Sequence, residues 1–265
     1  MLPRLLEEHK LLERDPGERR GDDAWLEALA RTLFTCTPEE AAEAVAAELA
    51  EGFSPQSVGE AISLAANQLV LRDAGRQGKQ VRAGKPAGSV HGDSIGVHAC
   101  DAANAWRNIA LAASGRNCMA SLVLAGWQVA MDRENRGGDF QEWQPRPHEE
   151  QLAKVPAKAA PEALLGQLEE AVRGNDQQLA CAAAHRYLEL GYSPQDAFAL
   201  LLRYATSEDG ALHAEKYYHT TYDDFQLTRP AFRSGHLVGL ARVTASSFGQ
   251  PAPGYAEARK LLGLG

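Results

Sequence analysis

An all-α fold follows from three features of the sequence. Alanine and leucine dominate the apolar fraction, which is 45% of 265 residues, and β-branched residues are sparse, a balance that favours packed helices over sheet. Helix stop and start signals recur, most plainly at Gly52-Phe53-Ser54-Pro55 and Gly191-Tyr192-Ser193-Pro194, where glycine ends one helix and Ser-Pro begins the next. No segment shows the two-residue alternation of a half-buried strand. The expected architecture is a single domain built from two pseudo-symmetric helical repeats. It spans residues 22–265 after a charged leader of residues 1–21, with halves at about 22–135 and 160–265.

The leader opens as a helix and turns at Asp15-Pro16-Gly17. Residues 23–34 then place Trp25, Leu26, Leu29 and Leu33 on one helical face. Thr37-Pro38-Glu39-Glu40 has the form of a capping box: Thr37 caps, Pro38 takes the first helical position, and Glu40 reaches back. That helix runs to about Glu51. The next begins at Ser54-Pro55, carries Val58, Ile62, Leu64, Ala65, Leu69 and Val70, and ends near Arg72. Residues 73–88, rich in Gly, Lys and Arg, are expected as a mobile surface loop, either a plain insertion or a lid over the segment that follows. Helices are expected at 97–113, with Trp106 and Ile109 facing the core, and at 117–132. Residues 133–160, with Gly137-Gly138, Pro145, Pro147 and Pro156, read as a linker. The second half predicts helices at 161–173, 176–190, 194–206, 212–223, 230–247 and 254–262.

The repeat rests on more than the shared turn. An Ala-rich helix precedes each Gly-aromatic-Ser-Pro-Gln, a helix of similar length follows, and a histidine-bearing segment comes next. The loop at 73–88 is extra in the first half. A coincidence of generic stop and start signals is the competing reading.

Charge and cysteine content narrow the function. A formal charge of −8 argues against nucleic acid as the main partner, since phosphate-binding surfaces need a basic excess. Basic runs at 14–20 and 72–85 are expected as solvated surface. Cys36, Cys100, Cys118 and Cys181 form no C-x-x-C pair and fit buried thiols in a reducing compartment. The N-terminus has acids where a signal peptide needs an apolar run, and the most apolar stretch, 118–131, is too short to span a bilayer. The expected setting is cytoplasmic, with no membrane and no nucleic acid. A homodimer is compatible with it.

The chemistry concentrates in two segments, S-V-H-G-D-S-I-G-V-H-A-C-D-A-A-N-A-W-R at 89–107 and L-H-A-E-K-Y-Y-H-T-T-Y-D at 212–223, which hold four of the eight histidines. Helical positions three or four apart share a face. His98 and Asp101 are so spaced, as are Glu215 and His219, and His219 and Asp223. Facing helices that donate imidazole and carboxylate build metal sites in helical bundles, and this ligand set suits iron, manganese or zinc. The expected ligands are His98, Asp101, Glu215 and His219. His91, His213 and Asp223 support them, and His91 can share an ion with His98 only if the backbone breaks between them, at Gly92 or Gly96. Asp93 is a candidate base. Tyr217 and Tyr222 are candidate proton or electron donors beside the metal, and Arg107 a candidate anchor for an anionic group. A haem held by one histidine needs no local motif and stays open.

The pattern His98, Ala103, Asn104, Ala105, Arg107 (H-x4-A-N-A-x-R) resembles a segment of poorly characterised all-helical bacterial domains, some of them joined to Rieske iron–sulfur domains. That resemblance implies a helical fold and a redox neighbourhood, though the chain has no Rieske ligand pattern of its own. The leading expectation is thus a metal-dependent oxidoreductase, iron favoured, acting on a small-molecule substrate. A metal-assisted hydrolase and a non-catalytic helical binding or redox-partner protein are the alternatives.

Overall fold

The computed structural model describes residues 1–83, 85–90, 94–206, 213–247 and 255–263. Among them the regular structure is thirteen α-helices and one 3-10 turn, with no strand, so the all-α expectation holds. No described helix is long and apolar enough to cross a membrane. The chain divides into two compact units, each made of three stretches of sequence.

The first unit comprises Met1–Arg72, Ile95–Trp143 and Gln226–Phe232. It holds α1 (Leu2–Glu8), α2 (Asp23–Thr35), α3 (Pro38–Ala50), α4 (Pro55–Arg72), α5 (Ile95–Ala112) and α6 (Gly115–Arg136). The longest helix, α6, packs against α2, α3, α4 and α5. The leader is part of this packing: Leu5, Leu6 and Leu11 are buried, and α1 lies on α3 and α6. Thr37 and Glu40 form the predicted capping box, with Glu40 N–H on Thr37 Oγ1 at 3.3 Å and Thr37 N–H on Glu40 Oε2 at 2.9 Å. The α5–α6 pairing corrects one expectation. Trp106 is half-buried and donates to Gln128 at 2.8 Å, but Ile109 is exposed, because the inward positions of α5 run through Ala103, Arg107 and Ala110.

α4 is buried nearly all round, polar residues included. Ser57, Glu60, Ser63 and Asn67 lie on one strip of it, each with under a tenth of its surface exposed. α5 crosses it closely at two points. A Cβ on Gly96 would sit 2.9 Å from the backbone of Leu69 and Val70, and one on Gly59 would sit 2.8 Å from the stem of Arg107. Residues 226–232 are fixed to this unit by Arg229, whose side chain grips both oxygens of Glu60 (3.0 and 2.9 Å) and reaches Asp23 Oδ1 (2.8 Å) and the Gly21 carbonyl (3.1 Å).

The second unit comprises Asp73–Ser94, Gln144–Phe225 and Arg233–Gly265. Its helices are α7 (Glu149–Leu152), α8 (Pro161–Arg173), α9 (Gln177–Glu189), α10 (Pro194–Ala205), α11 (His213–Leu227, whose last residues pass into the first unit), α12 (Ser234–Ser247) and α13 (Tyr255–Leu261). α9 buries Ala180 to Ala184 without a break, small side chains that let α8 and α12 pack closely on two sides. α11 is tied to α10 by Phe198, whose ring meets those of Tyr218, Tyr222 and Phe225 edge-on at 5.2–5.9 Å.

Gly52 and Gly191 end α3 and α9 with positive φ (86° and 76°). In both, the glycine N–H returns to the third carbonyl back and the aromatic N–H to the fifth, the Schellman pattern. Lys10 and Asn175 make the same pair of bonds at positive φ. The same turn thus closes two further helix ends besides the matched pair, and it does not by itself mark a duplication.

The basic loop after α4 is anchored firmly at its ends. Arg76 N–H bonds the Ser89 carbonyl (3.2 Å) and Gly88 N–H the Arg76 carbonyl (2.9 Å), closing the base into a strap. Arg242 of α12, wholly buried, donates to the carbonyls of Asp73 (2.5 Å) and Gly88 (3.2 Å) and to Gln177 Oε1 (3.2 Å). Arg146 adds a bond to the Asp73 carbonyl at 2.9 Å, and Val90 N–H meets Ser246 Oγ at 3.3 Å. A lid hinged at these ends would have to break that buried network.

Candidate functional site

The sequence-predicted residues fall on two helices, α5 in the first unit and α11 in the second. His91 and Asp93 lie outside the described residues.

On α5, polar side chains follow one another at steps of three: His98, Asp101, Asn104 and Arg107, an i, i+3 ridge of the helix surface. His98 and Asp101 are half-buried; Asn104 and Arg107 are buried, at 6% and 3% exposure. Asn104 Oδ1 accepts from Asn108 Nδ2 at 3.0 Å. The Arg107 stem lies across the bare backbone of Gly59, so a glycine on α4 makes room for a guanidinium carried at depth. The helix thus carries a buried Asn104 and Arg107 in line with a half-buried His98 and Asp101, and each of the four is engaged by a bond or charge contact.

On α11, Glu215, His219 and Asp223 share a face, and at His219 that face looks outward. His219 Nε2 and Asp223 Oδ2 are 3.6 Å apart, with side chains 76% and 30% exposed. Glu215 and His213, at the start of the helix, are half-buried, and Glu215 Oε2 is enclosed with no hydrogen-bond partner among the described residues. The inward face carries Ala214, Tyr217, Thr220, Thr221, Asp224 and Phe225. Tyr217 is buried at 1% exposure, while Tyr222 is 38% exposed and stacks near-parallel with Tyr218, their ring centres 6.4 Å apart. The i, i+4 spacing identified a common face. It did not say which face turns in, because α11 is polar on both.

Among the described residues, no group of three or more His, Cys, Asp or Glu side chains is gathered as a metal ion requires. His219 and Asp223 pair within α11, and His98 and Asp101 stand three residues apart on α5.

Several buried polar groups escaped the sequence reading. Asp224 is 2% exposed beside the expected Asp223; His236, which the sequence leaves as a core or secondary candidate, is 2% exposed on α12. Arg242 lies in the otherwise apolar run L-V-G-L-A-R-V-T-A; burial, and then the neighbouring Arg146, push its guanidinium down to about 9. A charge flanked by apolar residues on every helical side was the available signal. Asp132, near the end of α6, is 6% exposed, and burial pushes its carboxyl up to about 6. His185, the one half-buried histidine of α9, has its pKa lowered chiefly by burial. Compared with family models, with curated proteins and with solved structures, the chain has no match.

Proposed function

We propose that this chain is a metal-dependent enzyme in which His98 and Asp101 of α5 supply the first two ligands. The observation that supports this is the α5 ridge. An imidazole and a carboxylate one turn apart continue into a buried amide and a buried guanidinium, which is the donor set of a site binding an ion and an anionic small molecule together. Arg107 is the anchor for the substrate's anionic group. Iron is the favoured metal and an oxidoreductase the favoured class, with open coordination positions for dioxygen or substrate. His219 is not counted among the ligands, since its ring stands in solvent. The duplication of a helical unit and the kinship with Rieske-linked helical domains belong to the same reading.

Elemental analysis of protein purified without a His-tag tests it. Wild type should carry iron, manganese or zinc in stoichiometric amount. A His98→Ala/Asp101→Asn variant should lose it while keeping its helical circular dichroism, and His219→Ala should keep it. Metal-free wild type that also fails to take up added metal rejects the proposal.

A second reading, a non-catalytic helical binding protein, is favoured by one observation: no three-ligand group is gathered among the described residues. In that case His98→Ala would change stability and leave metal content at zero throughout.

A further inference from the structure

Arg76, Lys79, Arg82 and Lys85 follow one another at three-residue intervals, and no acid occurs between Asp73 and Asp93. The chain as a whole carries −8, so without these four cations the remainder carries −12. The charge is therefore sharply segregated, with one basic strap on an acidic protein.

Two of the four cations, Lys79 and Arg82, stand exposed, while Arg76 and Lys85 are half-buried and already engaged. The strap's base is clamped by Arg242, Arg146 and Ser246 as described. Its tip is folded by its own bonds: Gln77 N–H meets Gln80 Oε1 at 3.2 Å, Val81 N–H meets the Gly78 carbonyl at 3.1 Å, and Arg82 and Lys85 exchange both backbone bonds at 3.1 and 2.9 Å. Lys79 and Arg82 are exposed and join no ion pair among the described residues. Val81 between them is 40% exposed, an apolar side chain held out at the centre of a basic tip. The main chain of the tip is thus already held, so docking costs mainly the freedom of the exposed side chains.

We propose that the exposed Lys79, Val81 and Arg82 at the tip of the strap dock an acidic segment of a partner protein. Charge complementarity selects an anion, and the rest of the molecule selects its kind. A nucleic acid or an anionic bilayer carries far more negative charge than two exposed cations can meet on a chain whose net charge is −8. A short acidic peptide can meet the strap alone, with an apolar side chain of its own on Val81.

The test uses the full chain and a fluorescein-labelled peptide of alternating Glu and Asp, about twelve residues long, a length that spans the tip when extended. Anisotropy titrations are run on wild type, on Lys79→Glu/Arg82→Glu, and on Arg31→Glu/Arg116→Glu, which makes the same charge change at exposed sites elsewhere. Wild type should bind, with affinity falling steeply as salt rises. The strap variant should bind about tenfold more weakly or worse, and the control variant should stay within about twofold of wild type. Unchanged circular dichroism and urea midpoint in both variants establish that they fold. No binding by wild type, or equal losses in the two variants, overturns the proposal. So does tighter binding of a single-stranded oligonucleotide of the same length, or of phosphatidylserine vesicles.

Discussion

Replacing Asp132 by asparagine should make the protein more stable, and only above acid pH. Asp132 is 6% exposed, and neither of its neighbours along α6 offers it an opposite charge that offsets burial. It lies within about a turn of the end of α6, where unpaired carbonyls make the helix terminus negative and a carboxylate unwelcome. Burial raises its pKa from 3.8 to about 6. The sign follows from proton counting. Between these two values the folded state holds a proton that the unfolded state has released, so stability falls as pH rises through the interval. Below 3.8 both states are protonated and nothing is lost; above about 6 the loss is complete. A shift of roughly two units corresponds to about 3 kcal/mol. Urea unfolding of wild type and Asp132→Asn, in steps from pH 3.5 to 8, measures the difference directly. The variant should gain on wild type by about 3 kcal/mol across that range, with nearly all of the gain made by pH 6.5. A difference that does not vary with pH would mean that the carboxyl is hydrated in the folded protein, and the reasoning would fail.

Two further outcomes concern packing and pairing in the first unit. Glu60→Gln removes the charge that Arg229 grips with Nε and Nη2; with Arg229 still 24% exposed, the cost should be about 2 kcal/mol in urea unfolding, below the ~3–5 kcal/mol of a fully buried pair. Arg229→Met in the Glu60→Gln background should then cost far less than it does alone, which a double-mutant cycle reads out. Gly96→Ala should destabilise by about 1–2 kcal/mol despite alanine's better helix propensity, because its Cβ meets backbone that cannot swing aside. Gly166→Ala in α8, where an added Cβ meets nothing within 4 Å, should instead stabilise by up to about 1 kcal/mol; a thermal melt separates the two.

Local signals carried most of the fold. Thr37 and Glu40 announced a cap that formed as expected, and Gly52 and Gly191 ended their helices where the sequence placed them. These features are decided within a few residues of chain, so a reading of neighbours suffices. The site was less legible because it depends on which helical face turns inward. Asp223 and Asp224 are adjacent in sequence, yet one is 30% exposed on its side chain and the other is buried at 2%. Ile109 was expected inside and is exposed, while Arg107, two residues away, is buried because Gly59 of a different helix leaves space for it. The clamps made by Arg229 and Arg242 join residues 169 positions apart, and no periodicity encodes such a partner.

The segmentation of the two units has a consequence for how the protein can be made. The chain passes from one unit to the other five times, and the last piece of the first unit, Gln226–Phe232, arrives late. As the nascent chain emerges, α2 to α6 are complete long before Arg229 exists. Until then Glu60 waits as a carboxylate with its principal cation unsynthesised. Neither unit can be cut out as a continuous fragment, and any stop codon before residue 229 leaves that carboxylate without its clasp. The first unit is therefore finished by a segment made after most of the second, so the two cannot fold strictly one after the other as they are synthesised.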